Sequence, residues 1–476
     1  MILLVGRPFL SALTRKWLHN LEEFFSEPEL AESNIWPLIG GLVLVAVLAL
    51  MITLVEIYSS TQIGLLAYPP TYDGIGYVLD AKSSFYRLRQ WWINPLSFEG
   101  LLTFTLKIAP LWQVLMLISF FLLGEGEWQA YTVRFWPTFL LLLLVMWVIR
   151  HRSCKKLTWI AVMFTSLLPT VSVGLRASVS EYFLGIADYL SGRLSLQLYL
   201  ADLRPDLLFS VLLLWTVVPL VECVRKLDRR IWLISGTSAG FAVLAKSSMS
   251  PVLLFVWAFT IAYVLSANRS RLQLTVLTSL WSILPFAILV APWVLVGGAS
   301  YTFQYLYVHL TVLRAIYSSP HPTILSEATY YWKYFPTHIG IVEGWAILVI
   351  SLALSLFSFC KRTGRKDSRI IAYLGISAAF YVLISASPNK NYFAGLPYYL
   401  LLWVFSWTPL ASFLRTQTRR NRMVSWLLVL ILCMYAGFHV VGGFYSLQNW
   451  PVNGGLATEN RRVTQQIATD LRSFLT

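Results

Sequence analysis

The chain alternates long apolar runs with short polar breaks, and the runs are close to 20 residues, the length needed to cross a hydrocarbon core of about 30 Å. Spans are predicted near 35–57, 134–149, 157–175, 207–224, 231–246, 250–267, 273–297, 338–360, 370–386, 393–414 and 423–443. That pattern is an all-α polytopic membrane protein of about 11 transmembrane helices. The polar breaks are of two kinds. One kind is short and basic: "RHRSCKK" (150–156), "RKLDRR" (225–230), "NRSR" (268–271), "KRTGRKDSR" (361–369) and "RTQTRRNR" (415–422). The other kind is long and rich in aromatics and acids: 58–133, 176–206 and 298–337. Short Lys/Arg-rich loops mark the cytoplasmic face, so the long loops are expected outside. One run breaks the alternation. "IAPLWQVLMLISFFLLG" (108–124) is apolar enough to cross, but crossing would carry "RHRSCKK" outside. It is expected to be interfacial or re-entrant within the first outer loop.

Composition agrees with a membrane chain. Hydrophobic residues make up 57% and charged residues 12%, against roughly 25% charged in soluble domains. The net charge of +15 would suit a nucleic-acid binder, but the cations sit in the short loops, where topology and lipid headgroups account for them. No nucleic-acid partner is expected; membrane lipids are. Residues 1–34 lack the apolar stretch and small-residue cleavage site of a secretory signal and read as a cytoplasmic amphipathic segment. Cys154, Cys223 and Cys360 fall at cytoplasmic span ends and Cys433 within a span, with no metal-ligand spacing and no disulfide framework. "GTSAG" (236–240) suits close helix packing rather than a nucleotide.

The outer loops carry the candidate chemistry. After "PPTY", a helix starting near Thr71 puts Asp73, Tyr77 and Asp80 on one face at i, i+4, i+7. Leu79, Phe85, Trp91 and Trp92 are expected to dip into the interface, where aromatics favour the headgroup layer. Asp73 is either a helix cap or a functional acid. The second loop returns to the membrane through "YLADLRPD", with Asp202 and Asp206; Asp206 after Pro205 also suits an ordinary helix start. The third holds Arg314, His309, His321 and Lys333 among aromatics. Lys246 in "GFAVLAKSSMSP" and Lys390 in "SPNKNYFAGLP" lie at the outer ends of spans, against the positive-inside bias. They either snorkel to phosphates or bind an anionic substrate group. Carboxylates beside cations at one membrane face suit sugar transfer from a lipid phosphate. A carboxylate deprotonates the acceptor hydroxyl, cations stabilise the departing phosphate, and a single displacement inverts the anomeric centre.

These motifs resemble those of the GT-C type polytopic glycosyltransferases, in the branch of the protein O-mannosyltransferases and the lipid A aminoarabinose transferase. "PPTYDGIGYVLDA" matches that family's opening motif at Pro69, Pro70, Asp73, Tyr77 and Ala81. "YLADLRPDLLF" resembles its second acidic motif, and "GFAVLAK" its Gly-Leu-Ala-x-Leu-Thr-Lys. "SSPHPTILSEATYYWKYFP" and "SPNKNYFAGLP" echo two later motifs. The order is kept from about 35 to 445. The resemblance implies a GT-C fold with extracytoplasmic juxtamembrane helices and a catalytic domain over 35–443. It implies Asp73 as catalytic base, with Asp202 or Asp206 as a second acidic site. Lys246, Lys390 and Arg314 would hold the donor phosphate, and Tyr77, His321 and Tyr392 would line the substrate cleft. Gly74 stands where the family has Glu, which leaves Asp80 as a partial substitute and leaves a divalent metal open. The implied partners are a polyprenyl-phosphate sugar donor and a glycan, lipid or protein acceptor, in a bacterial inner membrane.

The tail 444–476 is expected to be one extracytoplasmic helix, with Val463, Ile467, Leu471 and Leu475 every fourth residue. The rival readings are a lipid-linked-sugar flippase or transporter, a polysaccharide polymerase or ligase, and a non-catalytic scaffold. A transporter would bury ionisable groups at mid-membrane and show inverted repeats, whereas this chain keeps charges at span ends and shows no repeat. A polymerase would rely on a large Arg/His-rich loop rather than an early aspartate. A scaffold leaves the clustering of polar groups unexplained.

Overall fold

A computed structural model describes residues 36–63, 73–93, 109–151, 155–168, 171, 205–225, 228–312, 323–339, 348–350, 352–353, 368–387 and 392–415. Asp202, Arg314, His321, Lys390, the 423–443 span and the 444–476 tail lie outside them, as do the side chains of Asp73, Trp91, Trp92 and Tyr392. The described residues are helical, with no strand among them.

In chain order the helices are α1 (Trp36–Ile63), α2 (Asp73–Ile93), α3 (Pro110–Leu123), α4 (Glu127–Tyr131), α5 (Phe135–His151), α6 (Lys155–Ser166) and α7 (Asp206–Glu222). There follow α8 (Arg229–Ala245), α9 (Ser250–Ala267), α10 (Leu272–Leu295), α11 (Gly298–Leu310), α12 (Ile324–Ile339), α13 (Ser368–Ala386) and α14 (Leu396–Arg415). Among the described residues, five helical segments are long and apolar enough to cross a membrane: Ile39–Ile57, Trp128–His151, Ser247–Ala267, Arg269–Leu295 and Arg369–Ala386. The chain is an integral membrane protein. Residues such as Leu280, Leu284, Ile288 and Leu295 of α10 are exposed, as lipid-facing positions should be.

The centre of the bundle is α7. Nearly every side chain from Asp206 to Glu222 is buried, and α5, α8, α9, α13 and α14 all pack against it. Polar ties cross this apolar core. The Trp215 indole donates to the Leu140 carbonyl at 2.9 Å, Ser235 donates to the Thr216 carbonyl at 2.7 Å, and Trp403 donates to Thr165 at 3.0 Å. With no water in the bilayer core, such bonds satisfy groups that would otherwise be costly to bury. The α8–α10 contact is the closest. A Cβ added at Gly236 would sit 1.9 Å from the Ser282 carbonyl oxygen, so "GTSAG" does serve helix packing.

At one end of the bundle, described residues flanking four of the basic loops meet. His151 faces Cys223 at 3.7 Å, Asn268 donates to the Val224 carbonyl at 2.7 Å, and Arg369 approaches Glu222 at 3.6 Å. The ends of α5, α7, α9 and α13 therefore meet there, as the alternating topology requires. The excursion 58–133 follows the candidate span of α1, and its described parts are α2, α3, α4 and the turn before α5. Its segment α3 has 14 residues, about 21 Å at 1.5 Å per residue, short of a full crossing. It packs on α2 and on α8.

One expectation is corrected on α2. Phe85 does not dip into the interface: it is buried, with its ring 4.9 Å from that of Phe121 and 6.2 Å from that of Phe120 on α3. Six residues at about 100° each place Phe85 about 120° round the helix from Leu79, which is exposed. Val78, Ala81 and Phe85 form the packed face.

Candidate functional site

At the end of α7 opposite the basic loops, the chain turns into the helix at Pro205 and Asp206 is the first helical residue. Proline's fixed φ suits that entry, and a carboxylate there faces the positive end of the helix dipole. The Asp206 backbone carbonyl also accepts from Ser210 at 2.6 Å.

The partner of Asp206 comes from a different hairpin. Helix α8 ends at Ala245, and Lys246 takes an extended conformation (φ −151°, ψ 85°) that breaks it. A single 3-10 turn, Ser247–Met249, then leads into α9 with Pro251 at its start. The extended Lys246 reaches back, and its ammonium donates to Asp206 Oδ1 as a direct ion pair. The Asp206 side chain is 8% exposed and that of Lys246 20%. The carboxylate is sealed, while the cation keeps an open side. This pair joins two motifs that the sequence left separate. Asp202, the other candidate acid of the second motif, lies outside the described residues. The third long loop joins next door. Thr302 of α11 donates to Ser247 at 2.8 Å, both residues buried. Gly298, at the start of α11, is needed for the approach of Trp293: a Cβ there would lie 2.1 Å from the indole nitrogen.

Helix α2 begins at Asp73. It packs on α3, and α3 packs on α8, the helix that ends at Lys246. Tyr77 is half-buried against the core. Asp80 accepts from the buried Gln113 amide of α3 at 3.3 Å. Desolvation raises the Asp80 carboxyl above its ordinary value, with the Gln113 bond opposing. The loop carrying "ATYYWKYFP" folds into α12. Tyr331 is fully buried there, and its carbonyl accepts from Tyr399 of α14 at 2.5 Å. Burial, and then the nearby Glu327 carboxylate, push the Tyr331 phenol well up, so it stays neutral. Gly395, in the turn after Lys390, lets this pair close. A Cβ would lie 2.6 Å from the Tyr399 hydroxyl and 2.7 Å from the Tyr331 ring.

Sequence reasoning missed one pair at this end of the molecule. Glu56 of α1 and Arg134, in the 3-10 turn Thr132–Arg134 before α5, form an ion pair at 2.9 Å, with side chains 5% and 9% exposed. A charge inside an apolar run is the signal that would have flagged Glu56. No group of three His, Cys, Asp or Glu residues able to hold a metal occurs among the described residues.

The fold that results, an all-helical membrane bundle with amphipathic helices laid at one end of it, is a GT-C-type fold. The chain is similar in structure to ArnT from Cupriavidus metallidurans, solved with undecaprenyl phosphate bound. The match has a TM-score of 0.50 at 14% identity and covers 89% of this chain and 76% of that one. No family model matches the sequence, and no curated protein matches it.

Proposed function

We propose that this protein is an inverting glycosyltransferase that moves a sugar from a polyprenyl-phosphate donor to an acceptor hydroxyl at the outer face of a bacterial inner membrane. The observation that carries the reading is the fold shared along most of the chain with ArnT, whose solved structure holds undecaprenyl phosphate. The ion pair between Asp206 and the half-open Lys246 gives that reading a location. The lipid chain lies along the apolar flank of the bundle, and its phosphate rests at the end where Lys246 projects. Lys390 and Arg314 complete the cation set, and Tyr77, His321 and Tyr392 line the cleft.

In the reaction, Asp73 takes the proton of the acceptor hydroxyl. The acceptor oxygen bonds to the anomeric carbon from the face opposite the phosphate. The bond from that carbon to the phosphate oxygen breaks, and its electron pair leaves with the lipid phosphate. Lys246 meets the developing charge. Asp206 fixes the ammonium in place. The positive-inside bias puts the five basic loops and residues 1–34 in the cytoplasm and this end outside.

The test is turnover of polyprenyl-phosphate-linked pentoses, hexoses and uronic acids by purified protein in lipid nanodiscs. Glycoside formation that falls on the order of 10²–10⁴-fold in Asp73→Asn, the range for loss of a general base, supports the reading. Normal turnover in that variant would remove Asp73 from its role. Lipid moved across a vesicle bilayer with no glycoside formed would replace the transferase with a flippase.

A further inference from the structure

The excursion 58–133 carries the proposed base, and it is fastened to the bundle by a ladder of polar ties. At its neck, Glu56 stands on the last turn of α1's candidate span (Ile39–Ile57), and Arg134 stands where the chain turns back into α5. Their ion pair at 2.9 Å closes the excursion at its base. Two residues before Arg134, Thr132 shares a hydrogen bond with Ser119 of α3 at 2.7 Å and donates to the Gln129 carbonyl at 2.6 Å. Further along α3, Gln113 donates to Asp80 of α2 at 3.3 Å. The route runs from α1 through the 3-10 turn and α3 to α2, the helix that begins at Asp73. Its first rung is the most buried, and both of its members are ionised groups in an apolar surround. Two charges are costly to place there, and α1 could have been packed against α5 with apolar residues at no such cost. A charge pair has one thing that apolar packing lacks, a single fixed register.

We infer that Glu56 and Arg134 are positioning residues that set the placement of α2, and through it of Asp73, relative to the Lys246 end of α8. The inference rests on the reading of Asp73 as the base, so its test uses a readout that needs no turnover. In a background with the four native cysteines replaced, spin labels at Leu79 on α2 and Leu254 on α9 report the placement of the excursion. Both positions are exposed. Labels at Leu254 and Leu295 on α10 report the bundle alone. Glu56→Gln with Arg134→Gln removes both charges together and leaves no uncompensated ion in the core.

The expected result is a broadened or shifted Leu79–Leu254 distance distribution with the Leu254–Leu295 distribution unchanged. Turnover would fall on the order of 10²-fold, the cost of a misplacement of about 1 Å at a reacting centre. The fall would be in kcat, with the affinity for undecaprenyl phosphate held within threefold. Arg134→Lys, which keeps the charge, restores most of the distribution. Should the double variant leave the Leu79–Leu254 distribution unchanged, or disturb the control pair equally, the positioning role is wrong. Should the distribution shift while the native protein transfers no sugar, the neck stands and the catalytic reading fails. If the double variant does not fold, Glu56→Asp, one methylene short of reach with its charge kept, gives the same comparison.

Discussion

Helix α7 ends in a carboxylate at both extremities, and the two are treated differently. At the basic-loop end, Glu222 lies in the last turn, where a negative charge opposes the helix dipole. Its side chain is fully buried; the Tyr373 hydroxyl donates to it at 2.9 Å and Arg369 approaches at 3.6 Å. His151, stacked on Trp147 at 5.3 Å, and Cys223 seal the surroundings. At the other end, Asp206 lies in the first turn, where the dipole favours it, and its cation keeps a fifth of its surface open. Lys246 thus keeps one side open beyond its bond to Asp206. Glu222 is instead enclosed by its partners. A carboxylate beside a cation is thus a closed lock at one end and a partly open pair at the other.

The comparison breaks first at Lys246. Replacing it with Ala is expected to lower the rate of sugar transfer by about 10²–10³-fold, as loss of one group stabilising developing charge does. Fluorescence binding of undecaprenyl phosphate should weaken in parallel. A variant that keeps both within threefold would make the Asp206–Lys246 pair a second lock.

Tyr373→Phe probes the other end. It removes a hydrogen bond to a buried carboxylate, at about 1.5–3 kcal/mol. A lower thermal midpoint in nanodiscs is expected, with turnover per folded molecule unchanged. Reduced lipid phosphate binding there would erase the distinction between the ends.

Gly236→Ala tests the helix that joins them. The added methyl must displace α8 from α10 at Ser282, for about 1–3 kcal/mol of overpacking. Because α8 carries Lys246 at its tip, both stability and transfer should fall, and a Ser282→Gly partner, which leaves the blocking carbonyl in place, should not restore them.

The smallest effect belongs to Asp80, a third carboxylate, which is held by the Gln113 amide. Its pKa is raised on folding, chiefly by desolvation. Its contribution to stability is therefore fully present below the ordinary Asp value of about 3.9 and is lost as pH rises through the raised one. Asp80→Asn, which cannot ionise, should flatten that part of the midpoint-against-pH curve, read by tryptophan fluorescence, leaving the acid limb unmoved and raising the midpoint slightly above the raised pKa.

The spans were legible because a bilayer imposes a length. The runs at 250–267 and 370–386 match α9 and α13 almost residue for residue, and the run at 207–224 matches α7 within two. The motif residues at span ends were legible as types, since charge at the edge of an apolar run is conspicuous. Their partners were not. Asp206 and Lys246 are 40 residues apart, and nothing local says that Lys246 will break its helix and turn toward α7. The face of α2 was misread at Phe85 for a related reason. An aromatic on an amphipathic helix suits a headgroup layer and a neighbouring helix equally well, and only the presence of α3 decided between them.

The sequence by itself determined that this chain is a helical membrane protein with several long apolar spans, and which residue types stand at the ends of those spans. Those outcomes follow from hydration: twenty apolar residues and a cluster of lysines and arginines each partition the same way whatever surrounds them. Only the tertiary structure decided which carboxylate meets which cation, which is sealed and which stays open, and that Glu56 and Arg134 close the loop bearing Asp73. Such pairings depend on the relative placement of helices, which is set by contacts such as that of Gly236 with Ser282, and no stretch of sequence contains both sides of that contact.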